Sequence, residues 1–151
     1  MKNLFMSLVL FLSLSCNNNN DDNNVSFVPQ TISPVLIAKG SLMGSENISQ
    51  QNTIIYNIGN WNTILNSIDS FRLAQFTETT TVDFNNFQLI AVFDNVYPSP
   101  KFDVSISNIT ENENNIVVTV TKTLNPSIAT VVDQKFHIVK IPKSTKPVVF
   151  Q

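Results

Sequence analysis

Apolar and polar residues alternate or cluster along most of the chain after residue 34, in a pattern typical of β-strands. Apolar runs at residues 35–39 and 53–57 predict two strands, and the polar segment between them indicates a loop. Residues 88–93 are apolar at nearly every position, which is typical of a strand covered on both faces. A last strand is expected over residues 135–141. It should end there because Pro142 has no amide proton to donate to the next strand.

Two alternating segments lie on either side of a turn rich in asparagine and glutamate. Residues 102–107 place Phe, Val and Ile at every second position, and residues 116–121 place Ile, Val and Val in the same way. The turn at residues 111–115 is short enough to join neighbouring antiparallel strands. These segments therefore predict a β-hairpin with one solvent-exposed face.

One segment changes its period from two to three or four. Asn60 precedes it and is a natural N-cap, because its side-chain oxygen can accept hydrogen bonds from the first turn. The apolar residues at helical spacing are Trp61, Ile64, Leu65, Ile68 and Phe71. Parallel βαβ units need a helix between successive strands, and only one helix is predicted. We therefore expect an α+β fold, with a mostly antiparallel β-sheet of six to seven strands and one amphipathic helix.

Composition and charge exclude some classes of function. The 151 residues are 13% charged and carry a formal net charge of −2, which fits one domain. A nucleic-acid-binding domain normally presents a basic face, so no nucleic-acid partner is expected. Only three glycines are present and they do not cluster, so a phosphate-cradling loop is excluded.

The N-terminus resembles a bacterial lipoprotein signal. Lys2 is followed by an apolar stretch at residues 4–14, which is too short to span a bilayer as a helix. The only cysteine, Cys16, comes next, and residues 17–24 are all Asn or Asp. Such a polar tract cannot bury a thiol, and several acyl chains on one cysteine make a stable membrane anchor. The sequence predicts a signal peptide at residues 1–15, palmitate or similar acyl chains on Cys16, a flexible tether at 16–33 and one domain at 34–151.

No complete catalytic or metal constellation is visible. His137 is the sole histidine, and it would need a partner such as Asp103 or Asp133 and a serine such as Ser105 or Ser127. Its strand context favours a half-exposed structural residue. One histidine and one acylated cysteine cannot form a zinc cage, and the spacing of a calcium loop is missing. We expect no catalytic residues, no metal site and no cofactor, and hence not an enzyme.

The segment VYPSP at residues 96–100 is a candidate contact for a partner protein. Two prolines stiffen the loop, and an exposed tyrosine offers a large contact area at low entropic cost. The predicted partner-binding residues are Tyr97, Pro98, Pro100 and Phe102. The alternative is a rigid connector whose tyrosine packs on the core.

Several segments resemble the PrcB-type domain of secreted and lipid-anchored bacterial proteins. The resemblance lies in Trp61 and in four later segments: FQLIAVFD at 87–94, ITENENNIVVTV at 109–120, FHIVKIPK at 136–143 and VVF at 148–150. The family is named for a lipoprotein that stabilises the precursor of a subtilisin-like surface protease. Where the family has a Gly-Gly-Tyr-Ser-like turn, this chain has Ser-Pro-Lys-Phe at residues 99–102, and proline cannot adopt the positive φ open to glycine.

These features lead to three hypotheses. The first is a non-enzymatic, lipid-anchored envelope module that binds or stabilises another protein, for which the resemblance suggests a secreted or surface protease. The second is a small-ligand or glycan-binding envelope module that uses Tyr97 or Trp61, and the third is a hydrolase that uses His137. The predicted location is the cell envelope, at the outer membrane of a Gram-negative bacterium, where Asp21 and Asp22 hint at export to the surface.

Overall fold

The computed structural model describes residues 26–79, 82–125 and 127–151. The predicted signal peptide, Cys16 and the first part of the tether lie outside the described residues. Within these ranges the chain forms, in order, β1 (Gln30–Thr31), β2 (Val35–Leu42), β3 (Gln51–Ile55), α1 (Ile58–Ser67), α2 (Ser70–Leu73), β4 (Phe87–Phe93), β5 (Phe102–Glu111), β6 (Ile116–Leu124), β7 (Gln134–Pro142) and β8 (Val148–Phe150).

The strands form two four-stranded sheets. The central sheet has the order β2-β7-β4-β3, and the outer sheet has the order β1-β5-β6-β8. Neighbouring strands are antiparallel except for β6 and β8, which are parallel. The predicted α+β class with a mostly antiparallel sheet is confirmed, and so is the β5–β6 hairpin. The described residues contain eight strands, whereas six to seven were expected. Strands β1 and β8 have only two and three residues, which is too short to show an alternating pattern in the sequence.

The central sheet is covered on both faces. Leu89, Ala91 and Phe93 of β4 pack in a core shared with the helices, whereas Ile90 and Val92 pack against the outer sheet. These five residues are all at most 2% exposed. The expectation of a strand covered on both sides is therefore correct for β4, because successive side chains point to opposite faces of a strand.

Helix α1 begins one turn earlier than predicted. Its N-cap is Asn57, whose side-chain oxygen accepts a hydrogen bond from the backbone N–H of Asn60 at 2.9 Å. The assignment of Asn60 as the cap is thus wrong, because the helix already includes Ile58 and Gly59. Trp61 is fully buried, and its indole N–H donates to the carbonyl of Thr79 at 2.8 Å.

The predicted apolar stripe does not continue to its last residue. Ile68 has extended backbone geometry and ends α1, and Asp69 caps the short helix α2. Phe71 lies on α2 and its side chain is 77% exposed. Helical spacing relates side chains only within one continuous helix, so the break at Ile68 turns Phe71 away from the core.

The described N-terminal residues belong to the outer sheet. Gln30 and Thr31 pair with Glu111 and Thr110 at the end of β5, and Ile32 packs against the core between the sheets. The sequence assigned these residues to the tether, but their backbone groups complete the free edge of β5. The tether therefore enters at one end of the outer sheet. The start of β5 lies about 30 Å away along this ten-residue strand.

Candidate protein-binding surface

The structure brings together the four residues predicted to contact a partner. The rings of Tyr97 and Phe102 lie 5.4 Å apart and are both half-buried. Tyr97 exchanges two backbone hydrogen bonds with Asp133, at 2.8 and 2.9 Å. Pro98 is exposed, and the carbonyl of Pro100 accepts from the backbone N–H of a residue in the 125–133 loop at 3.3 Å. Tyr97 thus serves as a connector between loops and still keeps an accessible edge.

A lysine completes this aromatic pair. The ammonium of Lys122 on β6 lies 2.7 Å from the Asp94 carboxylate and 2.7 Å from the Tyr97 hydroxyl. It also lies 4.4 Å from the centre of the Phe102 ring, within cation–π range. Asp94 and Lys122 were not predicted from the sequence. Asp94 gave one signal, a charged residue directly after a buried strand, whereas Lys122 stands among exposed threonines and gave none.

Hydrogen bonds and opposite charges hold Lys122 against Asp94 and Tyr97. Partial burial of Lys122 lowers its pKa, but the hydrogen bonds with Asp94 and Tyr97 outweigh this effect and raise the pKa above the usual 10.5. Asp94 is 4% exposed, so its charge depends on the lysine for compensation. The ion pair therefore connects β6 of the outer sheet to the end of β4 in the central sheet.

Exposed apolar side chains lie on three segments beside this group: the β2–β3 connection at residues 43–50, the loop at 94–101, and residues 124–133 at and after the end of β6. The loop at residues 94–101 contacts the loop at 125–133 through Tyr97–Asp133 and through Lys101, whose carbonyl accepts from Asn125 at 2.9 Å. We call the exposed apolar residues of these segments the loop surface. They are Met43, Val96, Leu124, Ile128, Val131 and Val132, each between 43% and 103% exposed. Exposed apolar groups concentrated at one place on a protein surface are characteristic of binding sites.

Gly44 allows the β2–β3 connection at residues 43–50 to approach the loops at 94–101 and 125–133. Its φ is +79°, and a Cβ atom at this position would lie 2.7 Å from a methyl carbon of Val96 and 3.4 Å from one of Val132. Only glycine meets both demands without strain. By contrast, no residue of the turn at 99–102 has a positive φ, since the non-glycine residue with positive φ in the described part of the chain is Asn47.

His137 and its candidate partners form a separate polar cluster. The imidazole Nδ1 accepts a hydrogen bond of 2.8 Å from the backbone N–H of Ile106, beside the bulge in β5. Lys39 donates to the Ser105 hydroxyl at 2.5 Å and lies 3.3 Å from the Asp103 carboxylate. The hydrogen bonds of the described residues thus include none between His137 and either Ser105 or Asp103.

This arrangement ties the two sheets together. Burial lowers the pKa of His137 below its usual 6.5, the Lys39 ammonium lowers it further, and Asp103 acts in the opposite direction. With Nδ1 accepting from the backbone, a neutral imidazole is favoured, and the ring links β7 to β5. The other two triad candidates lie elsewhere: Asp133 pairs with Lys135 at 3.3 Å, and the Ser127 hydroxyl accepts from the backbone of Ala129.

The remaining candidate chemistry is also located by the structure. Trp61 is fully buried, so it is not available to stack on a sugar ring as the glycan hypothesis requires. Among the described residues, no group of three or more His, Cys, Asp or Glu side chains could hold a metal ion. The lipidation site, Cys16, lies outside the described residues.

Comparison with known proteins leaves the family open. No protein-family model, no curated protein and no solved structure matches this chain. None of the helices in residues 26–79, 82–125 and 127–151 is both long and apolar enough to cross a membrane. The PrcB-type resemblance therefore stays a prediction.

Proposed function

We propose that this protein is a lipid-anchored cell-envelope module that binds or stabilises another protein through the loop surface. The observation that carries this proposal is the group of six exposed apolar residues, five on connections and Leu124 at the end of β6, in segments that contact one another. A domain that had no partner would leave these side chains in water at a cost of about 25 cal/mol for each Å² of apolar surface. A protein partner that covers them recovers this free energy.

The position of the loop surface favours a protein partner over the membrane. The described N-terminal residues pair with β5 at Glu111, whereas the loop surface lies beyond the opposite end of β5, at Phe102. If Cys16 carries the anchor, the tether joins the domain at the first end, and the loop surface lies at the end remote from this attachment point. The PrcB-type resemblance suggests a secreted or surface protease as the partner.

The anchor is tested by metabolic labelling. Cells that express the chain should incorporate labelled palmitate into it, and Cys16→Ser should abolish the label, because Cys16 is the only cysteine. Residues 1–15 should be absent from the labelled protein by mass spectrometry. An unlabelled protein that retains Met1 would contradict the anchor.

The binding surface is tested by site-specific photo-crosslinking in intact cells of the source bacterium. A photoreactive residue at Ile128 should give one reproducible protein adduct. The same residue at Glu113, in the exposed hairpin turn at the opposite end of the domain, should not give that adduct. Leu124→Asp should reduce the Ile128 adduct without unfolding the domain, because residue 124 is 67% exposed. Equal adducts at both positions would contradict a partner at the loop surface.

A further inference from the structure

Strand β3 forms one edge of the central sheet and is hydrogen-bonded on one side only. It pairs with β4 from Gln51 to Ile55 in continuous register, with no bulge. Within the described residues, no backbone group of β3 takes part in a hydrogen bond outside this ladder. In an antiparallel strand, alternate residues point their N–H and C=O groups away from the partner strand. The outer side of β3 therefore presents unpaired donors and acceptors.

The other edges of the two sheets are protected. On the outer side of β2, the carbonyls of Leu36 and Ile37 accept hydrogen bonds from Thr77, and the carbonyl of Ser41 accepts one from Arg72. The β2 ladder also contains a bulge. Strands β1 and β8 are only two and three residues long. Proteins use coverage, bulges, short strands, prolines and charges to keep sheet edges from pairing, and β3 has none of these.

A groove runs beside this open edge. A cavity of about 260 Å³ lies between β3 and α1, and it is lined by Gln51, Thr53, Ile54, Ile55, Asn60, Thr63 and Ile64. Gln51, Thr53 and Ile55 stand opposite Phe93, Ala91 and Leu89 of β4, so their side chains share the face that α1 covers. An added strand would therefore place every second side chain in the groove.

The groove is electrically neutral. Residues 47–68, which include β3 and α1, contain no Asp, Glu, Lys or Arg. Thr53 and Ile64, at the floor and the wall, are both half-buried. A charged side chain placed here would lose hydration without gaining a partner. The groove thus fits small polar or aliphatic side chains.

We propose that the groove between β3 and α1 binds an extended, uncharged segment of a partner protein, which adds to the central sheet as a fifth strand. Main-chain hydrogen bonds to β3 provide the affinity, and the groove selects every second side chain. This inference deepens the proposed binding function. It uses residues separate from the loop surface, and so each site can fail without the other.

The test uses the chain from residue 16 onward, with Cys16→Ser so that it stays in solution. Random linear peptides displayed on phage are selected on this protein, and an enriched peptide is titrated while backbone amide signals and amide hydrogen exchange are followed by NMR. We expect shifts in β3 and α1. Alternate β3 amides that exchange freely in the unbound protein should become protected when the peptide binds.

Two matched variants separate the groove from the opposite face of the same strand. Thr53→Lys places a charge in the groove and should weaken peptide binding by roughly tenfold or more. Asn52→Lys places the same charge on the exposed opposite face and should change binding less than about threefold. Should either variant fail to fold, peptides that are N-methylated at alternate positions provide the same contrast, because methylation removes backbone donors only on one side.

Three results would overturn the inference. The first is that no peptide is enriched, or that the enriched peptides bind Thr53→Lys as well as the parent protein. The second is that their shifts fall on the loop surface and disappear with Ile128→Asp. The third is a concentration-dependent dimer that Thr53→Lys abolishes, since the β3 edge would then pair with a second copy of this chain.

Discussion

Replacing Lys122 with methionine should destabilise the domain by about 2–3 kcal/mol. The change removes the ammonium that lies 2.7 Å from the Asp94 carboxylate, which is 4% exposed. The second carboxylate oxygen of Asp94 has no hydrogen-bond partner among the described residues, so the pair cannot be replaced locally. Breaking a buried ion pair costs roughly 3–5 kcal/mol, and the 35% exposure of the Lys122 side chain reduces this figure.

Urea unfolding, followed by the fluorescence of the single tryptophan, measures this loss. With a denaturant slope of about 1–3 kcal/mol/M for a domain of this size, the midpoint should fall by about 0.7–3 M. Lys101→Met is the matched control, because Lys101 lies 5.3 Å over the same Phe102 ring and forms no ion pair within the described residues. It should change stability by about 0.5 kcal/mol or less.

A double-mutant cycle separates the ion pair from other effects. Asp94→Asn removes the charge that Lys122 compensates, so the double variant should be more stable than the sum of the two single losses predicts. We expect an interaction energy of about 1–2 kcal/mol. Strictly additive losses, or a loss for Lys122→Met as small as that for Lys101→Met, would refute the argument.

Three further predictions concern other parts of the domain. The pKa of His137 is lowered by folding, so the unfolded chain binds the proton more tightly, and the free energy of unfolding should fall as the pH drops below about 6.5. Asparagine cannot titrate, so the free energy of unfolding of His137→Asn, measured by urea titration, should fall less over this pH range. A fall identical to that of the parent protein would contradict the assignment. In thermal unfolding, Gly44→Ala should cost about 1–3 kcal/mol because of the positive φ and the close contacts of this residue, whereas Gly40→Ala in β2 should cost about 1 kcal/mol or less. Trp61→Phe should cost about 2 kcal/mol, because it leaves the Thr79 carbonyl without its indole donor, and a thermally unchanged variant would argue against that hydrogen bond.

The strand pattern is predictable wherever burial follows a local period. In β4 every residue from Gln88 to Phe93 is buried, and the continuous apolar run of this segment predicts that burial. In β5 and β6 the alternation predicts both the hairpin and its buried positions, Val104 and Val118 among them. Period alone is insufficient where an element ends early, as at Ile68.

The candidate site is predictable only in part. The prolines and the aromatic residue of the 96–100 loop indicate Tyr97 as a candidate, and the structure places Tyr97 against Phe102. Lys122 and Asp94 stand 28 residues apart in the chain and meet only because the fold brings Lys122 of β6 to the end of β4. Similarly, β3 resembles any short apolar strand in sequence, and its open edge exists only because no further strand of the described chain pairs beyond it.

The sequence by itself determined the α+β class, the covered central strand and the hairpin, because these depend on side-chain periodicity within a few residues of one another. The resemblance to a lipoprotein signal around Cys16 also depends on local sequence, and it stays a prediction. Tertiary structure decided the division into two sheets, the meeting of the loops at the loop surface and the unpaired edge of β3. Each of these depends on contacts between distant segments, which arise from the packing of the whole chain and leave no local pattern.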